Sequence, residues 1–378
     1  MWHLKKRSMY PTGVASTRRK VGRPVLGAFL GLATLLATGC GDNIDATEPN
    51  AAKAAPTAVT APASVEELKA KVEGKELSIA SAAFPNPTLT GMYKTLELLQ
   101  SDFGVKVNFR LMDSSPMNAA LISGQVQIGH VSLGGMAAAV EAGADLIAVA
   151  GNDQKNAFLV AARAPAKTLA DLKGKPFAVS QNLSSIVGQT AQKCFAAAGL
   201  DVKTDTQLLH LGNIGQIVES MESGKLSGGM SATFRQIELD LKKPGTYTTV
   251  CKGWEANPQL NDVWAVSRAW LAENRDIAMA LAISEIKADR WTHESKAEWV
   301  ALAQAKIEGL TPEAAEANYA NLVTELDSWP VNGSLDQKMC DYTLATSLEF
   351  GVLKKRFACT DLVTFDYQKA AVQFLGSK

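Results

Sequence analysis

Residues 118–135 read NAALISGQVQIGHVSLGG. An apolar-periodic run closes at Ser123-Gly124, a strand-like run from Val126 to Val131 follows, and Ser132-Leu133-Gly134-Gly135 opens a further helix-like run to Ala144. The stretch has an echo at Met221 to Phe234, MESGKLSGGMSATF, where Ser223, Gly224, Leu226 and Gly229 stand as Ser123, Gly124, Val126 and Gly129 do in the first. Two lobes of similar plan are implied. A strand that turns directly into a helix leaves backbone N–H groups free at the helix N-terminus, where the dipole favours an anion or a polar acceptor. In open α/β sheets, that edge is where ligands sit.

Working outward, Leu77 to Ala83 reads as a first strand, and Phe84 to Thr90 as a loop stiffened by Pro85 and Pro87. A helix from Gly91 to Phe103, a strand from Val105 to Met112 and a helix capped at Ser115-Pro116 complete the approach to the quoted stretch. Beyond it, Leu146 to Ala150 and Phe158 to Ala162 read as strands, with Gly151 to Gln154 as the turn between them. The second lobe repeats the alternation: strands at Phe177 to Ser180, Gln207 to Leu211 and Leu226 to Ser231, with helices between. Thr246 to Val250 and Val263 to Val266 are expected to lead back to the first lobe. From Trp270 to Phe350 the pattern is mostly helical, with Thr311-Pro312 as an N-cap and N1 pair. Alternation of this kind argues for α/β lobes with parallel strands and right-handed crossovers. Two passages between the lobes make a hinged clamp with its ligand in the middle.

SGQVQIGHVSLGGMAAAVEAGADLIAVAG (123–151), TLADLKGKPFAVSQNLSS (168–185) and a helix ending AAAGLD (196–201) stand in a fixed order. Together they resemble the substrate-binding proteins of ABC importers for nitrate, taurine and aliphatic sulfonates, a group with relatives that bind the thiamine pyrimidine precursor. The resemblance covers roughly Leu77 to Leu271. It implies the type II periplasmic-binding-protein fold, two α/β lobes joined by a two-crossover hinge, with 76–163 plus 264–378 as lobe 1 and 164–263 as lobe 2. It also implies an ABC permease and ATPase as partners, a monomeric receptor and no cofactor.

The chain has 378 residues and a formal net charge of zero, an average over two unlike parts. Residues 1 to 40 carry seven basic side chains and no acid, so the remaining 31 basic and 38 acidic residues leave the rest near −7. That mild acidity argues against a nucleic-acid surface. Behind the basic stretch, PVLGAFLGLATLLATG (24–39) is shorter than the ~20 residues a membrane span needs, and reads as the core of a signal peptide, 1–39. Leu36-Ala37-Thr38-Gly39-Cys40 resembles a bacterial lipobox, which implies a lipid on Cys40 and membrane attachment; Ala37 departs from its usual Leu. A tether rich in Ala, Pro and Thr follows, and with a lead-in helix from Val65 it spans 40–75. Of the other four cysteines, Cys340 and Cys359 flank a helix-like run and are the first choice for a disulfide. Cys194 and Cys251 are left between a second disulfide and buried thiols.

The turns expected to face the cleft carry Phe84, Pro85, Ser132, Asn152, Asp153, Ser184, Ser185, Thr233, Phe234 and Arg235. Ser132, Ser184 and Ser185 are set to bond an oxyanion beside backbone N–H groups, or to serve only as helix caps. Arg235 is the one basic side chain at these turns, and Asp153 the one acid. Phe84 and Phe234 offer apolar walls; Trp264 and His130 read as core. No nucleophile elbow, HExxH, Walker loop or GxGxxG is present, and no Cys/His metal cluster. The yeast pyrimidine synthase of thiamine biosynthesis shares the implied fold, but its cysteine-rich, iron-linked motif has no counterpart here. The expected function is therefore an extracytoplasmic, lipid-anchored receptor delivering a small organic anion to an importer. Alternatives are a receptor for a neutral heterocycle such as a pyrimidine or flavin, or a ligand-binding sensor.

Overall fold

The computed structural model describes residues 58–82, 84–112 and 114–378, and within them Ser64 onward is continuous with a compact α/β body. The expected signal peptide, the expected lipidation at Cys40 and the expected tether up to residue 57 lie outside the described residues.

Each lobe is built on a five-stranded sheet. The first holds β1 (Glu76–Ser81), β2 (Lys106–Leu111), β3 (Ile128–Ser132), β4 (Leu146–Asp153) and β10 (Asp262–Ser267), in the order β2-β1-β3-β10-β4. The second holds β5 (Phe158–Arg163), β6 (Pro176–Ser180), β7 (Gln207–Leu211), β8 (Gly228–Ala232) and β9 (Tyr247–Lys252), in the order β7-β6-β8-β5-β9. In both, the first three strands pair parallel, and the strand that has crossed from the other lobe is inserted antiparallel. Two mixed α/β sheets of one plan are the two-lobed architecture that the resemblance implies.

The helices of the first lobe are α1 (Val65–Val72), α2 (Thr90–Phe103), α3 (Ser114–Ile122) and α4 (Leu133–Glu141). The second lobe has α5 (Ile186–Ala197), α6 (Val202–Asp205), α7 (Ile214–Glu222), α8 (Thr233–Lys242) and α9 (Gly253–Ala256). The C-terminal part adds α10 (Arg268–Glu273), α11 (Arg275–Glu294), α12 (Lys296–Lys306), α13 (Pro312–Tyr319), α14 (Gln337–Glu349), α15 (Cys359–Leu362) and α16 (Asp366–Leu375). The echo has a structural counterpart: α3 and α7 both end in a Ser-Gly pair whose glycine takes φ near +76°, a turn that L side chains resist. Each then enters the strand that supplies the cleft-facing turn.

Three boundaries differ from the sequence reading. Thr246 to Val250 was expected to lead back to the first lobe, but it enters β9 at the edge of the second sheet. Phe158–Arg163 was expected in lobe 1, yet it pairs with β8 and β9 of the second sheet, so the outward crossing is at 154–157 and the return at 257–261. Asn152 and Asp153 were expected in a turn, but β4 continues through Asp153 and is buried along its whole length. Their polarity is satisfied inside the protein rather than by water, which is why polarity misplaced the strand end.

The C-terminal hundred residues do more than cover lobe 1. α11 packs against α2 and α16, whereas Trp299 of α12, Tyr319 of α13 and Trp329 belong to the same buried cluster as Phe177 and Phe195 of the second lobe. A π-helical segment, Ala320–Glu325, ends that excursion. Both cysteine pairs are bonded: Cys340–Cys359 ties α14 to α15, and Cys194–Cys251 ties α5 to β9.

Candidate functional site

The carboxyl ends of the parallel strands of both sheets, with the starts of β5 and β10, line a cavity of about 1300 Å³. That exceeds the roughly 300–1,000 Å³ of most small-molecule sites, as suits a cleft whose walls belong to two lobes. Serine and asparagine caps position the walls. Ser132 Oγ accepts from Gly135 N at the start of α4, Ser185 Oγ from Gly188 N at α5, and Asn213 Oδ1 from Gln216 N at α7. α8 starts without a side-chain cap. The first-turn N–H groups of these helices have no intrahelical acceptor, and four N-termini therefore point positive dipole ends into one cavity.

Eight of the ten sequence-expected residues line it: Phe84, Pro85, Ser132, Asp153, Ser184, Ser185, Phe234 and Arg235. Asn152 and Thr233 do not; both are buried behind the wall. Three of the eight are chemically less free than their positions suggest. Ser184 Oγ donates to Asn182 Oδ1 at 2.7 Å and Ser185 Oγ to Asn182 O at 2.7 Å, so the two hydroxyl protons hold the loop rather than the cavity. Arg235 is not a vacant counter-ion: it bonds Glu238 at 2.7 Å and lies over the Phe234 and Phe84 rings at 5.2 and 6.0 Å. Phe84 and Phe234 meet edge to face across the mouth, one from each lobe, at 6.1 Å.

Sequence reasoning counted a single acid here; the cavity has two. Asp262 begins β10 directly beside Asp153 at the end of β4. Asp153 Oδ1 accepts from Asp262 N at 3.0 Å and Oδ2 from Asn261 Nδ2 at 2.8 Å, while the same amide is 3.4 Å from Asp262 Oδ2. Burial pushes both carboxyls up to about 7, with the Asp262 charge adding to the rise at Asp153. No signal in the sequence marked Asp262, because the strand it opens reads as core from Val263 onward. Gln189, Gln259 and Asn261 also line the cavity, with Gln259 Nε2 donating to Gln189 Oε1 of α5 at 2.6 Å. Asn261 and Gln259 lie on the return crossing, whose only sequence signature is a run without periodicity.

Behind the acids runs a buried polar chain. Ser81 Oγ is 2.9 Å from His130 Nδ1, and His130 Nε2 is 2.9 Å from Asn152 Oδ1. Asn152 Nδ2 donates to Glu285 Oε1 at 2.8 Å, and Glu285 Oε2 accepts from Thr95 Oγ1 and Trp264 Nε1 at 2.7 and 2.8 Å. Since the Asn152 amide donates to Glu285, its oxygen accepts, and the His130 proton sits on Nε2. Burial lowers the His130 pKa, keeping the ring neutral, and lifts Glu285 to about 7 against the pull of its three donors. His130 and Trp264 are thus core, as expected. His130, Asp153 and Asp262 place ligand-type atoms within 4.8 Å of one another, the one such group among the described residues. Both ring nitrogens are already engaged, so the group presents no open imidazole to a metal.

The arrangement can hold a small polar solute: N–H groups and the Ser132 hydroxyl on the walls, carboxylates on the floor, aromatic rings at the mouth. A family model described as ABC transporter, phosphonate, periplasmic substrate-binding protein matches residues 77–317. A search of curated proteins by sequence finds no match. Among solved structures, the chain is similar to the alkanesulfonate-binding protein SsuA from Xanthomonas axonopodis pv. citri bound to MOPS. The two are 21% identical, with 78% of this chain and 99% of that one covered, at a TM-score of 0.60. It is also similar to the periplasmic nitrate-binding protein NrtA from Synechocystis PCC 6803, at 13% identity, 81% and 91% coverage and a TM-score of 0.65. The desulfurization enzyme DSZB, 13% identical over 79% of this chain and 99% of that one, has the same fold at a TM-score of 0.60. The frame therefore carries both receptors and an enzyme, and the cavity chemistry has to decide between ligands.

Proposed function

This chain belongs to the family of phosphonate ABC-transporter periplasmic substrate-binding proteins, and from that premise we propose that it captures a small zwitterion, an amino-substituted sulfonate or phosphonate, for import. The observation that carries this reading is the pairing of opposite chemistries in one cavity: four helix N-termini on the walls, that of α8 without a side-chain cap, and the Asp153–Asp262 pair on the floor. N–H dipoles stabilise an oxyanion without a full counter-ion, which matters here because Arg235 is already paired to Glu238. An ammonium is the group that relieves two neighbouring carboxyls, one buried and one half-buried, and it leaves the anion free to face the helices. The sulfonate- and nitrate-binding neighbours support the oxyanion half of the reading. The receptor is held to the membrane through Cys40, works as a monomer, and passes its solute to a permease and ATPase.

Calorimetric titration with taurine, aminoethylphosphonate, ethanesulfonate and ethylphosphonate tests it. The amine-bearing pair is expected to bind at least about tenfold more tightly than the amine-free pair, a difference of ~1.4 kcal/mol. Equal affinities across the four remove the ammonium and leave a receptor for plain organic anions. The Phe84–Phe234 pair favours one second reading, a flat neutral heterocycle held between the rings. Heat from a pyrimidine or flavin alone would select it.

A further inference from the structure

Three successive turns of α14 meet the binding machinery. At its middle, Leu260 N donates to Thr343 Oγ1 at 2.8 Å and Tyr342 OH to Asn257 Oδ1 at 3.2 Å, both on the return crossing between the lobes. One turn on, Ser347 lines the cavity and packs so closely on Gly134 of α4 that a Cβ there would come within 3.2 Å of its hydroxyl. At its end, Glu349 reaches the other lobe: Lys193 of α5 donates to its two carboxylate oxygens at 2.9 and 2.7 Å. The same ammonium lies 5.4 Å over the Phe350 ring. Thr343, Ser347 and Phe350 follow the i, i+4, i+7 spacing of one helix face. Cys340–Cys359 and the packing of α14 on α4 hold the helix to lobe 1, so its far end is a fixed post.

We infer that α14 is a third wall of the cleft and that Lys193 with Glu349 and Phe350 is the clasp that holds lobe 2 against it, setting how long a bound solute stays. Neither charged residue lines the cavity, so the clasp acts on the lobes and not on the solute. This rests on the solute-receptor reading. Lys193 is three-quarters buried in the contact, whereas Glu349 is about half exposed, so the clasp is a modest, salt-sensitive brake and not a lock.

Lys193→Glu, Glu349→Lys and the double exchange test the inference in stopped-flow release of aminoethylphosphonate. Each single reversal is expected to speed release about two- to tenfold, with the effect shrinking in high salt, and the double exchange to restore the slow rate. A helix that merely supports the fold would lower the melting temperature in all three and leave release unchanged; that result, or additive effects in the double exchange, overturns the clasp. If the native protein binds none of the solutes, the receptor reading fails separately. Small-angle scattering of the solute-free protein then decides: a larger radius of gyration in Glu349→Lys, reversed by the exchange, keeps the clasp, and identical radii remove it.

Discussion

Asp153 and Asp262 share one amide donor, Asn261 Nδ2, and have no basic side chain bonded to them among the described residues. Each is raised from 3.8 to about 7, so between pH ~4 and ~7 the folded state holds protons that the unfolded chain has released. Their contribution to stability is therefore full at low pH and is lost as pH rises through that window. Asp262→Asn removes the loss. The variant is expected to exceed the native protein by about 1–3 kcal/mol at pH 8 and to match it near pH 4, allowing for the opening of Asp262 toward the cleft. Urea midpoints at the two pH values check this, and an equal gain at both would mean that charge is not the cause. Binding carries the opposite sign. Taurine, whose sulfonate does not titrate here, is expected to bind more tightly from pH 6 to 8 as the floor ionises, and a plain alkanesulfonate more weakly. Residue identities were only partly legible: the sequence puts Glu238 three residues after Arg235 on one helix, a spacing that pairs charges, and Arg235 stands out there only as the one basic side chain at the cleft turns.

At the scale of elements, the loop Asn182–Ser185 owes its place to Gly188. A Cβ on Gly188 would stand 2.3 Å from Asn182 O and 2.4 Å from Leu183 Cα, against backbone that cannot step aside as a flexible side chain can. Gly188→Ala is expected to cost about 1–3 kcal/mol and to weaken solute binding, because the loop holding Ser184 and Ser185 must move off the start of α5. Gly199→Ala, at an open position with φ of +71° at the other end of that helix, serves as the comparison: it loses stability by strain but leaves affinity alone. Equal affinity loss in both would assign the effect to helix stability. The elements nearest the cleft were the most legible, since the Ser-Gly echo marks where α3 and α7 stop, although β3 and β8 begin at Ile128 and Gly228 rather than at Val126 and Leu226. The crossings were not. β4 runs through Asn152-Asp153 because His130, Glu285 and Asn261 supply partners for those side chains, and none of the three is near in sequence.

For the molecule as a whole, two sheets with separate strand sets would suggest two unfolding units, but the third passage of the chain argues otherwise. Trp299, Tyr319 and Trp329 leave lobe 1 and complete the apolar cluster of lobe 2, so the lobe 2 core is not closed without chain from the far side. The indole of Trp329 in turn presses on α2 of lobe 1, where a Cβ on Gly91 would lie 2.6 Å from its Nε1. One cooperative transition is therefore expected, with far-ultraviolet dichroism and tryptophan fluorescence falling together in urea. Saturating solute raises the midpoint without splitting it, by ~2.7 kcal/mol at 100 times the dissociation constant. Gly91→Ala tests the linkage, since it strains a lobe 1 helix through a residue of the lobe 2 cluster: both probes should shift by the same amount. If fluorescence moves alone, the C-terminal helices unfold on their own, and the lobes are tied by the two crossings and nothing more.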